Sequence, residues 1–121
     1  MTTEWSHLPN AAHIDAVLAS VEANPTDWSA AWDAALDAAL DAAWDAAYDA
    51  ARGAALDAAW DAALDAAWSA ILALIAYDDC AHMLDSDPGD LRILSKLGSH
   101  AATLMMPASI AFKSIREKAF A

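Results

Sequence analysis

Turn-forming residues are scarce in this 121-residue chain, which has only three Gly and four Pro. With so few, it cannot make the frequent tight turns of a β-sandwich or barrel, nor a glycine-rich phosphate loop. Its single cysteine, Cys80, excludes an internal disulfide framework and suits a reducing compartment. Cations are nearly missing from most of its length. Residues 1–91 carry 17 acidic side chains against Arg52 alone, a charge of −16, whereas residues 92–121 set Arg92, Lys96, Lys113, Arg116 and Lys118 against Glu117, a charge of +4. A field dominated by negative charge repels nucleic acid and anionic membranes and attracts basic protein surfaces. The longest charge-free apolar stretches, Ala66–Tyr77 and Ala101–Phe112, are well short of the ~20 residues that span a bilayer. Met1-Thr2-Thr3-Glu4-Trp5 lacks the basic and apolar regions of a signal peptide. The expectations are no direct nucleic-acid binding, no membrane segment and a cytoplasmic location.

What the chain has instead is alanine, tryptophan and aspartate. Hydrophobic residues make up 59% of it, with six Trp. Ala is the best helix former and the breakers are few, so the fold class expected is all-α. A compact single domain over 1–121 divides into a first helix (10–23), a central array (28–71) and C-terminal helices (72–121). Asn10 precedes Ile14, Val17, Leu18 and Val21 at helical spacing, and Asn24-Pro25 stops that helix. Thr26 or Asp27 then caps the next helical segment.

From Trp28 to Ile71 the chain repeats x-Asp-Ala-Ala, with x being Trp28, Trp32, Leu36, Leu40, Trp44, Tyr48, Arg52, Leu56, Trp60, Leu64 and Trp68. The second position is Asp in eight of these units; Ser29, Gly53 and Ser69 are the exceptions. One helix from Trp28 to Tyr77 would be about 75 Å long, excessive for a domain of this size. Arg52-Gly53 interrupts both series and is the expected bend, a continuous helix being the alternative. Four residues turn a helix by about 400°, so each unit drifts about 40° from the last and no straight stripe forms. That favours a bundle over a coiled coil, which needs a period of 3.5. Trp side chains are expected as large knobs in an Ala-lined core, with Met105-Met106 as filler.

After the array, Ala70–Leu84 reads as a buried helix and Asp85–Asp90 as a turn, with Asp87 or Asp90 capping a short helix Leu91–Leu97 that Gly98 ends. Ser99 opens a last helix that Pro107 kinks or restarts, and Lys113, Arg116 and Lys118 suit its C-terminus. About five or six helices are expected.

The aspartates are costly. Six i, i+4 pairs from Asp33/Asp37 to Asp61/Asp65 each destabilise a helix by about 0.2–0.5 kcal/mol. Short carboxylates held near the backbone form a fixed line of charge. Solubility alone explains such a line equally well. The functional alternative is a partner-binding surface made by Asp33, Asp37, Asp41, Asp45, Asp49, Asp57, Asp61 and Asp65. One Asp per about 6 Å of helix is dilute beside duplex DNA, with one charge per about 1.7 Å. Two array helices side by side, with Asp78, Asp79, Asp85, Asp87 and Asp90, come closer.

The array, followed by Ala76-Tyr77-Asp78-Asp79-Cys80-Ala81-His82-Met83-Leu84 and the Asp-Pro-Gly turn, resembles small phage and prophage proteins over roughly residues 28–107. In size and acidity the chain is also similar to phage anti-CRISPR inhibitors that act as DNA mimics, a likeness of character with no diagnostic motif. That resemblance implies occupation of a basic nucleic-acid-binding groove, that of a CRISPR effector complex in a bacterial host; no family site residue carries over. The competing expectation is an assembly protein that forms homo-oligomers through Trp/Ala helix faces.

Catalysis and cofactors are not expected. Asp78 and His82, at i, i+4, are the nearest approach to a metal pair, but no second spaced pair completes a site. His7, His13 and His100 lack triad partners.

Overall fold

The computed structural model describes residues 5–35, 38–51 and 65–119. Among them are six α-helices and no strand: α1 Ala11–Ala23, α2 Pro25–Ala35, α3 Ala38–Ala50, α4 Asp65–Ala76, α5 Pro88–Lys96 and α6 His100–Ala119, with a 3-10 helix at Ala81–Asp85 between α4 and α5. The all-α expectation is met.

The hub is α4 packed on α6. Residues 67–75 of α4 and 102–109 of α6 are buried without interruption, the pattern of helices that are apolar all round. The array segments α2 and α3 each pack against both, α1 packs on α4 and α2, and α5 and the 3-10 helix pack on α6. Thus the innermost array segment is only its last part, where x-Asp-Ala-Ala gives way to Ile71, Leu72, Leu74 and Ile75.

A continuous helix from Trp28 to Tyr77 is excluded, because α2 and α4 would lie far apart along it yet pack against each other. Nor are α2 and α3 successive stretches of one straight rod. Twelve helical residues separate Cα atoms by about 18 Å and rotate them by about 120°, whereas the indoles of Trp32 and Trp44 stand 6.0 Å apart between centroids. The expected bend at Arg52-Gly53 lies outside the described residues.

Within the array segments the position that faces inward is the last alanine of each unit. Ala31, Ala35, Ala43, Ala47 and Ala67 are all buried. The first position, expected to supply the core knobs, is graded: Trp28 and Trp68 are buried, Trp32 and Trp44 half-buried and Tyr48 exposed. Alanine faces allow close helix approach, and the bulky first position then wedges at the edge of each contact. Trp28 and Trp68 go inside instead, and the polar edge of Trp28 is satisfied: Nε1 donates to Ser20 Oγ at 3.0 Å, while the ring meets Phe112 edge-on at 5.4 Å.

The start of α1 shows an unexpected use of a capping residue. Asn10 precedes the helix but makes no side-chain cap to it. Its buried Nδ2 instead donates to Leu74 O and Tyr77 O, both at 3.1 Å, supplying donors to carbonyls at and just beyond the end of α4. Cys80 Sγ donates to Ala73 O at 3.4 Å on the same helix end. The preceding turn also contributes core: Trp5 and Leu8 are buried, and Trp5 Nε1 donates to Asp15 Oδ1 at 2.9 Å.

The expected helix Ala70–Leu84 is shorter than its sequence suggests. It stops at Ala76, and the chain resumes as a 3-10 helix after the turn Tyr77–Cys80. Two adjacent charges, Asp78 and Asp79, cannot follow Ile75 into the apolar layer, and both are exposed. Downstream, α5 begins earlier than expected, at Pro88. Pro occupies the first helical position, and the Asp87 carboxylate accepts from Gly89 N at 2.9 Å. Its far end is a Schellman motif: Gly98 adopts φ +97°, Gly98 N donates to Ser95 O and Ser99 N to Leu94 O, both at 3.0 Å.

Pro107 neither starts a new helix nor ends one; α6 runs through it. The upstream turn is tied by hydroxyls. Ser99 Oγ accepts from Ala102 N at 3.1 Å, and Thr103 Oγ1 donates to Ser99 O at 3.1 Å. Since the Thr103 proton is committed there, Ser95 is the donor in its contact with Thr103 Oγ1.

Candidate partner-binding surface

An x-Asp-Ala-Ala unit on a helix sets its second residue about 160° away from its fourth. With the fourth alanine buried, the aspartate must point outward. Asp33, Asp45 and Asp49 are accordingly exposed. The Trp32–Trp44 contact joins α2 to α3 through their indoles, and Asp33 and Asp45 are each the next residue after one of those rings. Of the other expected site residues, Asp41 lies in α3 and Asp65 opens α4. Their side chains, and all of Asp37, Asp57 and Asp61, lie outside the described residues.

Which aspartates the chain neutralises for itself decides what remains for a partner. Three cations of α6 are engaged: Lys118 Nζ lies 2.6 Å from Asp27 Oδ1, Lys113 Nζ 3.2 Å from Asp87 Oδ1, and Arg116 Nη1 3.9 Å from Asp85 Oδ1. None of those carboxylates belongs to the array. Asp33, Asp45 and Asp49 have no ion pair among the described residues. Asp85 and Asp87, grouped with the acidic surface on sequence grounds, drop out of it as paired charges.

The pairing has further consequences at Asp27 and Asp87. The Lys118 ammonium, hydrogen-bonded to Asp27, holds that carboxyl below its ordinary value, with Ser114 Oγ donating at 3.0 Å in support. At Asp87 the Gly89 backbone N–H is the leading cause of the same shift, followed by Lys113. These carboxylates therefore bind α6 to α2 and to the start of α5, and they are structural.

The Asp78/His82 pair does not form a metal site geometry. The helix that would have aligned them ends at Ala76, leaving Asp78 in a turn and His82 in the 3-10 helix, where its Nδ1 lies 3.0 Å from Asp79 O. Cys80 turns inward, and burial pushes its thiol up to about 12. No group of three His, Cys, Asp or Glu suited to a metal ion occurs among the described residues. His7, His13 and His100 are exposed and scattered.

Among the described residues no helix is long and apolar enough to cross a membrane. The described residues form a helical protein on which Asp33, Asp45 and Asp49 of the array are exposed. No protein-family model, curated protein or solved structure matches the chain.

Proposed function

We propose that this chain is an inhibitor of the phage type that acts as an acidic DNA mimic, occupying the basic nucleic-acid-binding groove of another protein, with a CRISPR effector complex in the bacterial cytoplasm as the candidate target. It works by binding, without catalysis or cofactor. The observation that carries this reading is the division of labour among carboxylates. Asp27, Asp85 and Asp87 pair with the cations of α6, while the exposed Asp33, Asp45 and Asp49 have no ion pair among the described residues. A groove lined by Lys and Arg gains from such a surface the same counterion-linked attraction it gains from phosphates.

The test is displacement of DNA from an effector complex by the purified chain over a salt series. Inhibition that weakens steeply with salt and is lost in the D33N/D45N/D49N variant supports the proposal. Equal inhibition by that variant, or none by the wild-type chain, overturns it.

Assembly through the Trp/Ala helix faces is the second reading. It has less support, because Trp28, Ala31, Ala35, Ala43, Ala47 and Trp68 are already buried within the chain.

A further inference from the structure

Three of the four large hydrophobic side chains exposed among the described residues sit together on α5 and its C-cap: Ile93 at 59% exposure, Leu94 at 39% and Leu97 at 78%. Leu91 alone anchors this helix in the core. Counting about 100° per residue from Arg92, Lys96 falls near 40°, Ile93 near 100°, Leu97 near 140° and Leu94 near 200°. The outward half of α5 is thus a cationic strip beside an apolar one, the latter interrupted near 160° by the exposed Asp90 at the start of the helix. Arg92 and Lys96 are exposed and have no carboxylate partner among the described residues, unlike Lys113, Arg116 and Lys118. In a chain of net charge −12, the cations without a carboxylate partner among the described residues are those beside the exposed apolar patch.

The fourth exposed hydrophobic, Tyr48 at 38%, lies on α3 between Asp45 and Asp49. That face has the opposite make-up: two carboxylates four residues apart, about 6 Å along the axis, with an aromatic side chain on one flank. Arg92 and Lys96 have the same spacing. Facing the two helices parallel sets Asp45 against Arg92 and Asp49 against Lys96. Because Tyr48 lies about 60° to one side of Asp45 and Ile93 about 100° to the other side of Arg92, facing them brings Tyr48 over Ile93 and Leu97.

We infer that α5 is a docking face for a second copy of this chain, which presents Asp45, Tyr48 and Asp49 of α3 to Arg92, Ile93, Lys96 and Leu97. The contact is heterologous, so each copy keeps a free α5 or a free α3 and association continues beyond the dimer or closes into a ring. Repulsion between the like net charges is screened within roughly 8 Å at physiological salt, a range over which the local pairs still act. The inference does not rest on the DNA-mimic proposal. It adds to it a means by which part of the acidic surface is covered until a stronger basic partner displaces the neighbouring copy.

Salt screens the local attraction and the overall repulsion together, so exchange of charges is the decisive test. Sedimentation velocity of the full chain over a concentration series at near-physiological salt should show reversible association of the wild type. R92E/K96E and D45K/D49K should each weaken it by about tenfold or more, and I93S/L97S likewise, with circular dichroism confirming that each variant is folded. Mixing the two charge variants should recover complexes, because the intact α3 of the first meets the intact α5 of the second. A wild type that stays monomeric overturns the inference, as does wild-type-like association of the charge variants or no recovery on mixing folded ones. A monomer that cosediments with phosphatidylserine vesicles through Arg92 and Lys96 also overturns it and assigns the face to anionic lipid.

Discussion

The indoles of Trp32 and Trp44 are clasped at 6.0 Å with their planes tilted by 36°, although twelve residues separate them in sequence. This contact links α2 to α3, two stretches of the acidic array that each also pack on α4 and α6. Aromatic pairs of this kind contribute about 0.5–1.5 kcal/mol beyond the area they bury. A double-mutant cycle with Trp32→Leu and Trp44→Leu, read by urea denaturation, should give a coupling energy in that range. Strict additivity would mean that the rings touch without holding the helices.

Asn10 serves a helix carbonyl 64 residues away. Asn10→Ala leaves the carbonyls of Leu74 and Tyr77 without this donor and should cost about 1–3 kcal/mol. Asn10→Asp should cost more, since a carboxylate would face two carbonyl oxygens. Equilibrium denaturation of both variants checks the order.

Ser69 stands where the array would place an aspartate, and its Oγ is buried with no hydrogen-bond partner among the described residues. A charged residue there would have to enter the α4 core. Ser69→Ala should be neutral or stabilising by up to about 1 kcal/mol, and Ser69→Asp strongly destabilising. A rise in midpoint for the Asp variant would show that position 69 opens to water.

Paired carboxylates and the buried thiol contribute stability that is lost at opposite ends of the pH scale. Asp27 and Asp87 have folded-state values lowered by their partners. Their contribution is therefore present above the unfolded carboxylate value of about 3.9 and is lost as pH falls through the lower folded values. Cys80 is the reverse case, raised from 9.0 to about 12 by burial, with the nearby Asp79 charge adding. The neutral thiol is favoured by the fold, so this contribution is whole below about pH 9 and declines as pH climbs toward 12. The stability deficit of Asp27→Asn relative to wild type should shrink between about pH 7 and pH 3, and that of Cys80→Ser should shrink between about pH 7 and pH 10, as read by denaturation midpoints. Native Cys80 should also resist iodoacetamide at about pH 8 and react once unfolded.

Removing Asp49 should relieve its like-charge contact with Asp45, one turn away on the same exposed face. Asp49→Asn is expected to raise stability slightly, by about 0.2–0.5 kcal/mol. A loss of that size or larger would mean that Asp49 makes a stabilising contact within the fold.

Much of the architecture is readable in the residues alone. Alanine content with three glycines and four prolines commits the backbone to helix, because the local cost of every other conformation is higher. Ile14, Val17 and Val21 announce the buried face of α1 and Gly98 the end of α5, since caps and breakers act within a few residues, whereas the residues alone leave the choice between Asp87 and Asp90 as the cap at its start open. That the aspartate and the last alanine of a unit point nearly opposite ways also follows locally, from the angle of about 160° between them.

Tertiary structure alone decided which face of the array turned inward. Period four offers a drifting choice of faces, and burial of the last alanine in the described units, with the first position buried at Trp28 and Trp68 but not at Tyr48, depends on how closely α4 and α6 can be approached. Only the fold could couple Asn10 to Leu74, close Trp32 on Trp44, or spend the cations of α6 on Asp27, Asp85 and Asp87 and leave Arg92 and Lys96 over. Those are contacts between segments far apart in the chain, and helical propensity, being a property of neighbours, carries no information about them.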